Sequence, residues 1–136
     1  MPALPRLAVA CCLAQLLAAC GGDDARALQQ ARDALAADLP SPYFEDLVVE
    51  SVTVEGDALV QLVRSPAGRA GPTQASPRFD ELRQSEQDAL VELCAEPAIA
   101  ALSATDARLV RRFVDREDGV FFEVEMPARD CAGAGG

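Results

Sequence analysis

The sequence predicts an α+β domain in which a roughly four-stranded antiparallel sheet carries helices packed on one face. Two stretches, 47–64 and 108–126, are rich in β-branched and apolar residues, and each contains an acidic turn with a glycine, which is typical of a β-hairpin. Apolar residues at helical spacing precede the first hairpin and separate it from the second. The predicted order is therefore α-β-β-α-α-β-β, and the length of 136 residues allows one modest core.

The first helix is predicted over residues 24–38. Asp23 and Asp24 offer an N-cap, and the prolines at 40 and 42 end the helical pattern. The first hairpin follows and turns at the Glu-Gly-Asp sequence of residues 55–57. The apolar face of the helix consists of Leu28, Ala31, Ala34, Leu35 and Leu39.

The middle of the chain is predicted as a loop followed by two helical segments. Residues 65–77 are rich in glycine, proline and small polar residues and show no periodicity, so we expect an exposed, mobile loop. A helix is predicted over 78–93, ending at Cys94, and Pro97 opens a shorter segment that runs to about residue 103. The apolar face of the longer helix consists of Phe79, Leu82, Ala89, Leu90 and Leu93.

The second hairpin is predicted to turn at residues 115–119. Its last strand alternates between two sets of residues, which predicts one buried and one solvated face. The set expected inside is Val120, Phe122, Val124 and Met126, and the set expected outside is Phe121, Glu123 and Glu125. The basic pair Arg111 and Arg112 is interpreted as solvation of a strand edge, which limits aggregation.

The first 19 residues have the composition of a signal peptide. Arg6 supplies a positive charge, and the apolar run 7–17 is far shorter than the ~20 residues of a membrane-spanning helix. The sequence Leu-Ala-Ala-Cys at 17–20 matches the lipobox of bacterial lipoproteins, whose cysteine is lipidated before cleavage. We therefore expect a signal peptide over 1–19 and a single periplasmic domain over 20–136, attached to the membrane by lipid on Cys20. The alternative is a chance cysteine beside an ordinary cleavage site.

The residues after Cys20 bear on which membrane receives the protein. In enterobacterial sorting, an aspartate directly after the lipidated cysteine retains a lipoprotein in the inner membrane. Here Gly21 occupies that position, and the first acidic residue is Asp23. We therefore expect a protein that faces the periplasm from the outer membrane.

Two of the five cysteines remain once the leader and the lipid are accounted for. Cys11 and Cys12 lie in the leader, which leaves Cys94 and Cys131 in an oxidising compartment, where two thiols most often pair. A redox or metal-binding pair is the alternative. The sequence has no histidine and no C-x-x-C spacing, so we expect a disulfide and neither a metal ion nor a cofactor.

Charge and motifs exclude several classes of function. The 12 basic and 22 acidic residues give a formal net charge of −10, which repels nucleic-acid phosphates, so no nucleic-acid partner is expected. No histidine can act as a base, and no G-x-S-x-G or phosphate-binding glycine loop is present in the sequence. The chain is not expected to be an enzyme.

The C-terminal half suggests a family. Residues 93–97, Leu-Cys-Ala-Glu-Pro, close a helix; a short helix and a hairpin turning at Asp115 and Gly119 follow, and Cys131 comes after the last strand. This half resembles small pilotin lipoproteins of type II secretion systems, the AspS or GspS-beta class. The resemblance implies an outer-membrane lipoprotein that captures the C-terminal segment of secretin subunits and brings them to the outer membrane for assembly. The alternative is a small envelope lipoprotein of structural or inhibitor type unrelated to secretion.

A pilotin-like role requires a groove that holds an amphipathic helix or an added strand of the partner. The candidates for lining it are apolar residues that remain once one face of each element is buried. They are Val91, Leu109, Phe113 and Phe121. The alternative for each is ordinary core or an isolated surface residue.

Overall fold

Five strands form one mixed sheet in a computed structural model that describes the backbone of residues 19–133 and the side chains of residues 22–133. The strands lie in the sheet in chain order, and neighbours are antiparallel except for the third and fourth, which are parallel. They are β1 (Ser41–Pro42), β2 (Val48–Glu55), β3 (Ala58–Arg64), β4 (Arg108–Val114) and β5 (Val120–Pro127). Residues 1–18 and the side chain of Cys20 lie outside the described residues, so the signal peptide and the lipidation stay predictions.

The helices pack on one face of this sheet and supply the other half of the core. The α-helices are α1 (Ala19–Ala36), α2 (Ala70–Gln74), α3 (Phe79–Ala89) and α4 (Pro97–Ala100). Three 3₁₀ segments span Leu90–Ala95, Ala101–Ala104 and Ala128–Gly133. The core between the two layers contains Leu28, Val63, Leu90, Ile99, Leu102, Leu109, Phe113 and Val124.

The α+β class and both predicted hairpins are confirmed, but the four-stranded antiparallel sheet is wrong in two respects. The chain between β3 and β4 carries the helices across one face and returns to the end where β3 began, so β4 runs parallel to β3, pairing Leu59 with Leu109 and Val63 with Phe113. The fifth strand, β1, has only two residues, paired with Val48 and Val49, and is too short to show a period in the sequence.

Two predicted boundaries also change. The first helix is Ala19–Ala36 instead of 24–38, and the helix predicted over 78–93 is α-helical only to Ala89 before it tightens into the 3₁₀ segment. The segment 65–77, predicted as an exposed loop, contains α2. It begins at a buried Ser65, whose Oγ accepts a hydrogen bond of 2.9 Å from the Gly68 N–H.

A β-bulge in β5 reverses the predicted orientation of two residues. The pairing with β4 shifts between Phe113 and Val114, whose partners are Phe122 and Val120, so Phe121 is the extra residue. Phe121 is therefore buried at 8% exposure and Val120 is 43% exposed, the opposite of the simple alternation. The alternation beyond the bulge, with Val124 inside and its glutamate neighbours outside, is as predicted.

Arginine side chains shield the sheet face that carries no helices. Arg112 on β4 forms ion pairs with Glu123 on β5 at 2.8 Å and with Glu55 on β2 at 2.9 Å. To reach Glu55 its side chain crosses β3, whose Val60 is buried together with Val110 although no helix lies above them. Arg112 is thus partly exposed and covers apolar surface, but β4 has a neighbour on each side, so Arg112 does not solvate a strand edge as the sequence was interpreted.

Asp115 connects the turn of the second hairpin to the segment after β3. Its carboxylate accepts hydrogen bonds from the N–H groups of Glu117 and Gly119, both at 2.8 Å, and of Ala70 at 3.0 Å. A Cβ at position 119 would lie 2.6 Å from this carboxylate, so the turn requires glycine there. These bonds, with that of Ala70 the largest contribution, hold the pKa of Asp115 below its ordinary value of 3.8.

The substitution Asp115→Asn tests this connection. A carboxyl whose pKa is lowered by folding stabilises the fold above its unfolded pKa, and that contribution is lost as the pH falls through the folded pKa. We therefore expect a lower urea midpoint for the variant at pH 7 and a smaller difference near pH 3. Asp38→Asn, at an exposed site, is the control. Equal midpoints for Asp115→Asn and wild type at pH 7 would contradict the role.

A disulfide joins Cys94, in the 3₁₀ segment after α3, to Cys131 after β5; the two residues are 37 positions apart in the sequence, and their Cα atoms are 5.1 Å apart. Chain entropy predicts that replacing both cysteines with serine lowers the free energy of unfolding by about 4 kcal/mol. Urea unfolding with and without reductant measures the effect. The wild type should lose stability on reduction, and the double variant should not respond.

Candidate functional site: a groove beside helix α3

An apolar groove with a volume of about 140 Å³ lies between α3 and the end of the sheet where β4 passes into β5. Phe113, Phe121 and Phe122 supply aromatic surface from the sheet, and Leu82 of α3 is 44% exposed. The remaining residues that line the groove are Leu47, Ser65, Gly68, Thr73, Val114 and Glu86. Exposed apolar surface that is concave and continuous is typical of a binding site for an apolar ligand.

The bulge and one glycine shape the groove. The bulge turns Phe121 towards the helical layer, where its ring meets the segment that follows β3. A Cβ at position 68 would lie 2.6 Å from the Oγ of Ser65 and 3.0 Å from the Cζ of Phe121, so this close approach requires glycine. The rings of Phe113 and Phe122 lie 4.7 Å apart and continue the aromatic surface.

Glutamine side chains from the helical segments occupy the free edge of β5. The Nε2 of Gln74 donates to the carbonyl groups of Val120 at 3.1 Å and of Phe121 at 3.0 Å. The Nε2 of Gln87 donates to the carbonyl of Glu125 at 2.8 Å. These carbonyl groups are therefore already hydrogen-bonded and do not offer an open edge to an added strand.

Glu86 is the ionisable residue of the groove, and it belongs to a polar network beneath it. The hydroxyl of Tyr43 donates to Glu86 Oε2 at 2.6 Å and accepts from Arg111 Nη1 at 2.8 Å. The Nε of Arg111 donates to Oε1 of Gln61 at 2.7 Å. Burial and the bond to Glu86 raise the pKa of Tyr43 far above its ordinary value of 10.0, so its hydroxyl keeps its proton and acts as donor.

Arg111 is not a solvated edge residue, contrary to the interpretation of the sequence. It lies on β4, which has a neighbour on each side, and it points into the helical layer with 3% exposure. Its guanidinium stacks over the ring of Tyr43 at 4.9 Å from the centroid and lies 3.8 Å from the Glu86 carboxylate. A charge buried in this way requires partners, and Tyr43, Gln61 and Glu86 provide them.

The four predicted contact residues do not form one surface. Phe113 and Phe121 line the groove, although each is largely buried. Leu109 is fully buried in the core, and Val91, in the 3₁₀ segment after α3, is 47% exposed outside the groove. Leu109 therefore cannot contact a partner while the domain is folded.

Several groove residues were assigned to other roles by the sequence. The periodicity of Leu82 and Phe122 predicts a buried face and therefore a place in the core. Glu86 follows Leu82 by four residues, so helical spacing alone puts both on one face and gave a usable signal. Tyr43 lies 68 positions from its partner Arg111, and no local pattern connects them.

Metal-binding clusters and membrane-spanning helices are both absent from the described part of the chain. No group of three histidine, cysteine, aspartate or glutamate side chains among residues 22–133 could hold a metal ion. No helix within the same part is long and apolar enough to cross a membrane.

Solved structures share this fold, whereas no family model and no curated protein matches the sequence. A Pseudomonas aeruginosa protein described as secreted matches with a TM-score of 0.62 and 20% identity over 81% of this chain and 94% of its own. EpsS, a pilotin of the Vibrio vulnificus type 2 secretion system, matches with a TM-score of 0.55 and 16% sequence identity, over 82% of this chain and 96% of EpsS. AspS, the type II secretion pilotin of Vibrio cholerae, matches with a TM-score of 0.53 and 16% sequence identity, over 82% of this chain and 98% of AspS. The pilotin-like fold expected from the resemblance is confirmed.

The buried network predicts a large effect of Arg111→Ala. Removing the guanidinium leaves Glu86 and Tyr43 without their buried partner, and we expect a loss of about 3 kcal/mol in the free energy of unfolding. Urea unfolding followed by circular dichroism measures it. Arg116→Ala, in the exposed hairpin turn, should change stability little. Equal effects of the two substitutions would show that the network does not stabilise the fold.

Proposed function

We propose that this chain is a pilotin-like lipoprotein, held by lipid on Cys20 at the periplasmic face of the outer membrane. In this role it binds a helical segment at the C-terminus of secretin subunits and helps to target or assemble them there. One observation carries the proposal: the domain has the fold of two type II secretion pilotins, EpsS and AspS, and presents an apolar groove on it.

The groove favours a helix over a strand as the bound segment. Strand addition needs a free sheet edge, and the two edges of this sheet are β1 and β5. The strand β1 has two residues, one of them proline, and glutamine side chains occupy carbonyl groups of β5. A helix instead needs a concave apolar surface to pack into, and the groove beside α3, with Leu82 at its edge, provides one.

The lipid anchor accounts for membrane attachment in this proposal. Residues 22–26 of α1 are exposed, and Leu28 is the first buried residue among the side chains of α1 that the structure describes. The early turns of α1 therefore lie outside the core, where the connection to a lipidated Cys20 does not disturb the fold. Two or more acyl chains give stable attachment, since each buried CH₂ contributes about 0.8 kcal/mol.

Deleting the gene in a bacterium that carries a candidate secretin tests the proposal. We expect the secretin multimers of the outer membrane to be lost and to be restored by the wild-type gene. Cys20→Ala should fail to restore them, because the protein then lacks its anchor. Fractionated membranes probed for secretin multimers give the measurement.

The same assay separates the groove from the rest of the surface. Leu82→Glu places a charge in the groove at an exposed position, and Val91→Glu places the same charge outside it at a similar exposure, 47% against 44%. Val91→Glu should restore multimers and Leu82→Glu should not. Multimers that persist in the deletion strain would contradict a secretin role and favour a structural or inhibitory envelope lipoprotein.

A further inference from the structure

The groove is apolar but contains one carboxylate, Glu86, which sets a chemical requirement on what binds there. Among the described residues that line the groove, no other side chain is ionisable. The side chain of Glu86 is 13% exposed, so its carboxylate is largely removed from water. A ligand that filled the groove with apolar groups alone would remove the remaining water without replacing it, which is costly for a charged group.

The two oxygens of Glu86 differ in their surroundings. Oε2 accepts the hydrogen bond of Tyr43 at 2.6 Å. Oε1 receives no hydrogen bond from any described residue, and no side-chain oxygen that is completely buried among these residues lacks a partner, so Oε1 is at least partly in contact with solvent. The carboxylate is thus held in place through Oε2, and Oε1 is the oxygen left to accept a further hydrogen bond.

The buried guanidinium of Arg111 does not supply the partner that Glu86 Oε1 lacks. Arg111 lies 3.8 Å from Oε2, and the Tyr43 hydroxyl bonds to both, so the guanidinium faces the carboxylate from the buried side. Its Nε is bound to Gln61 and it is 3% exposed, so it does not reach the groove surface. A group that meets Oε1 from the groove therefore completes the coordination of Glu86 from the open side.

We infer that the groove selects an amphipathic helix whose apolar face carries one lysine or arginine, with that cation meeting Glu86 Oε1. This rests on the proposed function and specifies the bound segment. A cation forms a stronger hydrogen bond with a carboxylate than a neutral donor does. The formal net charge of −10 also attracts a basic segment, whereas an acidic residue at this place would be repelled by Glu86.

Three synthetic helical peptides of about 18 residues test the inference, long enough to be helical when bound. They share an apolar face of leucine and alanine and differ at one central position of that face, which is lysine, glutamine or glutamate. The full chain is expressed with its leader and purified from the envelope in mild detergent. Fluorescence anisotropy of labelled peptide, with protein-free micelles as blank, measures affinity.

We expect the lysine peptide to bind the unaltered protein about tenfold more tightly than the glutamine peptide, with the glutamate peptide weakest. Glu86→Gln should remove most of the difference between lysine and glutamate. Glu81→Gln is the control: Glu81 lies five residues earlier, is 74% exposed and does not line the groove, so this substitution should leave the lysine preference unchanged. The comparison of peptides on the unaltered protein does not depend on whether a variant folds.

Equal binding of the three peptides, absence of binding by all of them, or a lysine preference that survives Glu86→Gln would overturn the inference. These results are separable from failure of the proposed function. If secretin multimers depend on the protein but peptides bind without charge preference, the inference alone is wrong. If the charge preference holds but multimers persist without the gene, the groove binds a basic amphipathic helix of another envelope protein.

Discussion

The guanidinium of Arg111 needs polar partners in the middle of an apolar layer, and meeting that need fixes the relative position of four parts of the chain. Gln61 comes from β3, Tyr43 from the segment after β1, and Glu86 from α3, while Arg111 itself is on β4. An unpartnered charge at this depth would cost several kcal/mol, so alternative packings of α3 are disfavoured. The groove exists because α3 is held at this distance from the sheet.

The rest of the groove depends on two further non-local contacts. Asp115 accepts the N–H of Ala70 and so fixes the segment after β3 beside the second hairpin, and Gly68 allows that segment to approach Phe121. Both contacts act on the same stretch, 65–77, whose composition indicated only a loop. A stretch rich in glycine and proline therefore lines one side of the groove, because a backbone hydrogen bond holds it to a residue far away in the chain.

The features that the sequence predicted are those set by neighbouring residues, and those it missed depend on distant ones. Turn chemistry at residues 55–57 and alternation around it suffice for the first hairpin, and helical periodicity suffices for α1 and α3. The parallel pairing of β3 with β4 depends on where a 43-residue connection returns, and the bulge places Phe121 against Gly68, which is 53 positions away in the sequence. Phe121 lines the groove only because the bulge turns it inward, which the simple alternation did not predict, and the link of Tyr43 to Arg111 has no local pattern either.

The two sides of the groove differ in how firmly they are held. Phe113, Phe121 and Phe122 lie within the loop closed by the disulfide and belong to paired strands. Helix α3 lies outside that loop and has no fully buried residue. Elements with few buried contacts open locally at lower free energy than core strands, so local opening of the groove is expected to begin in α3, away from its anchor at Glu86, before the paired strands open. The helical side of the groove is therefore less firmly held than its aromatic side, so a bound segment that is too bulky is expected to displace α3 before it displaces the sheet.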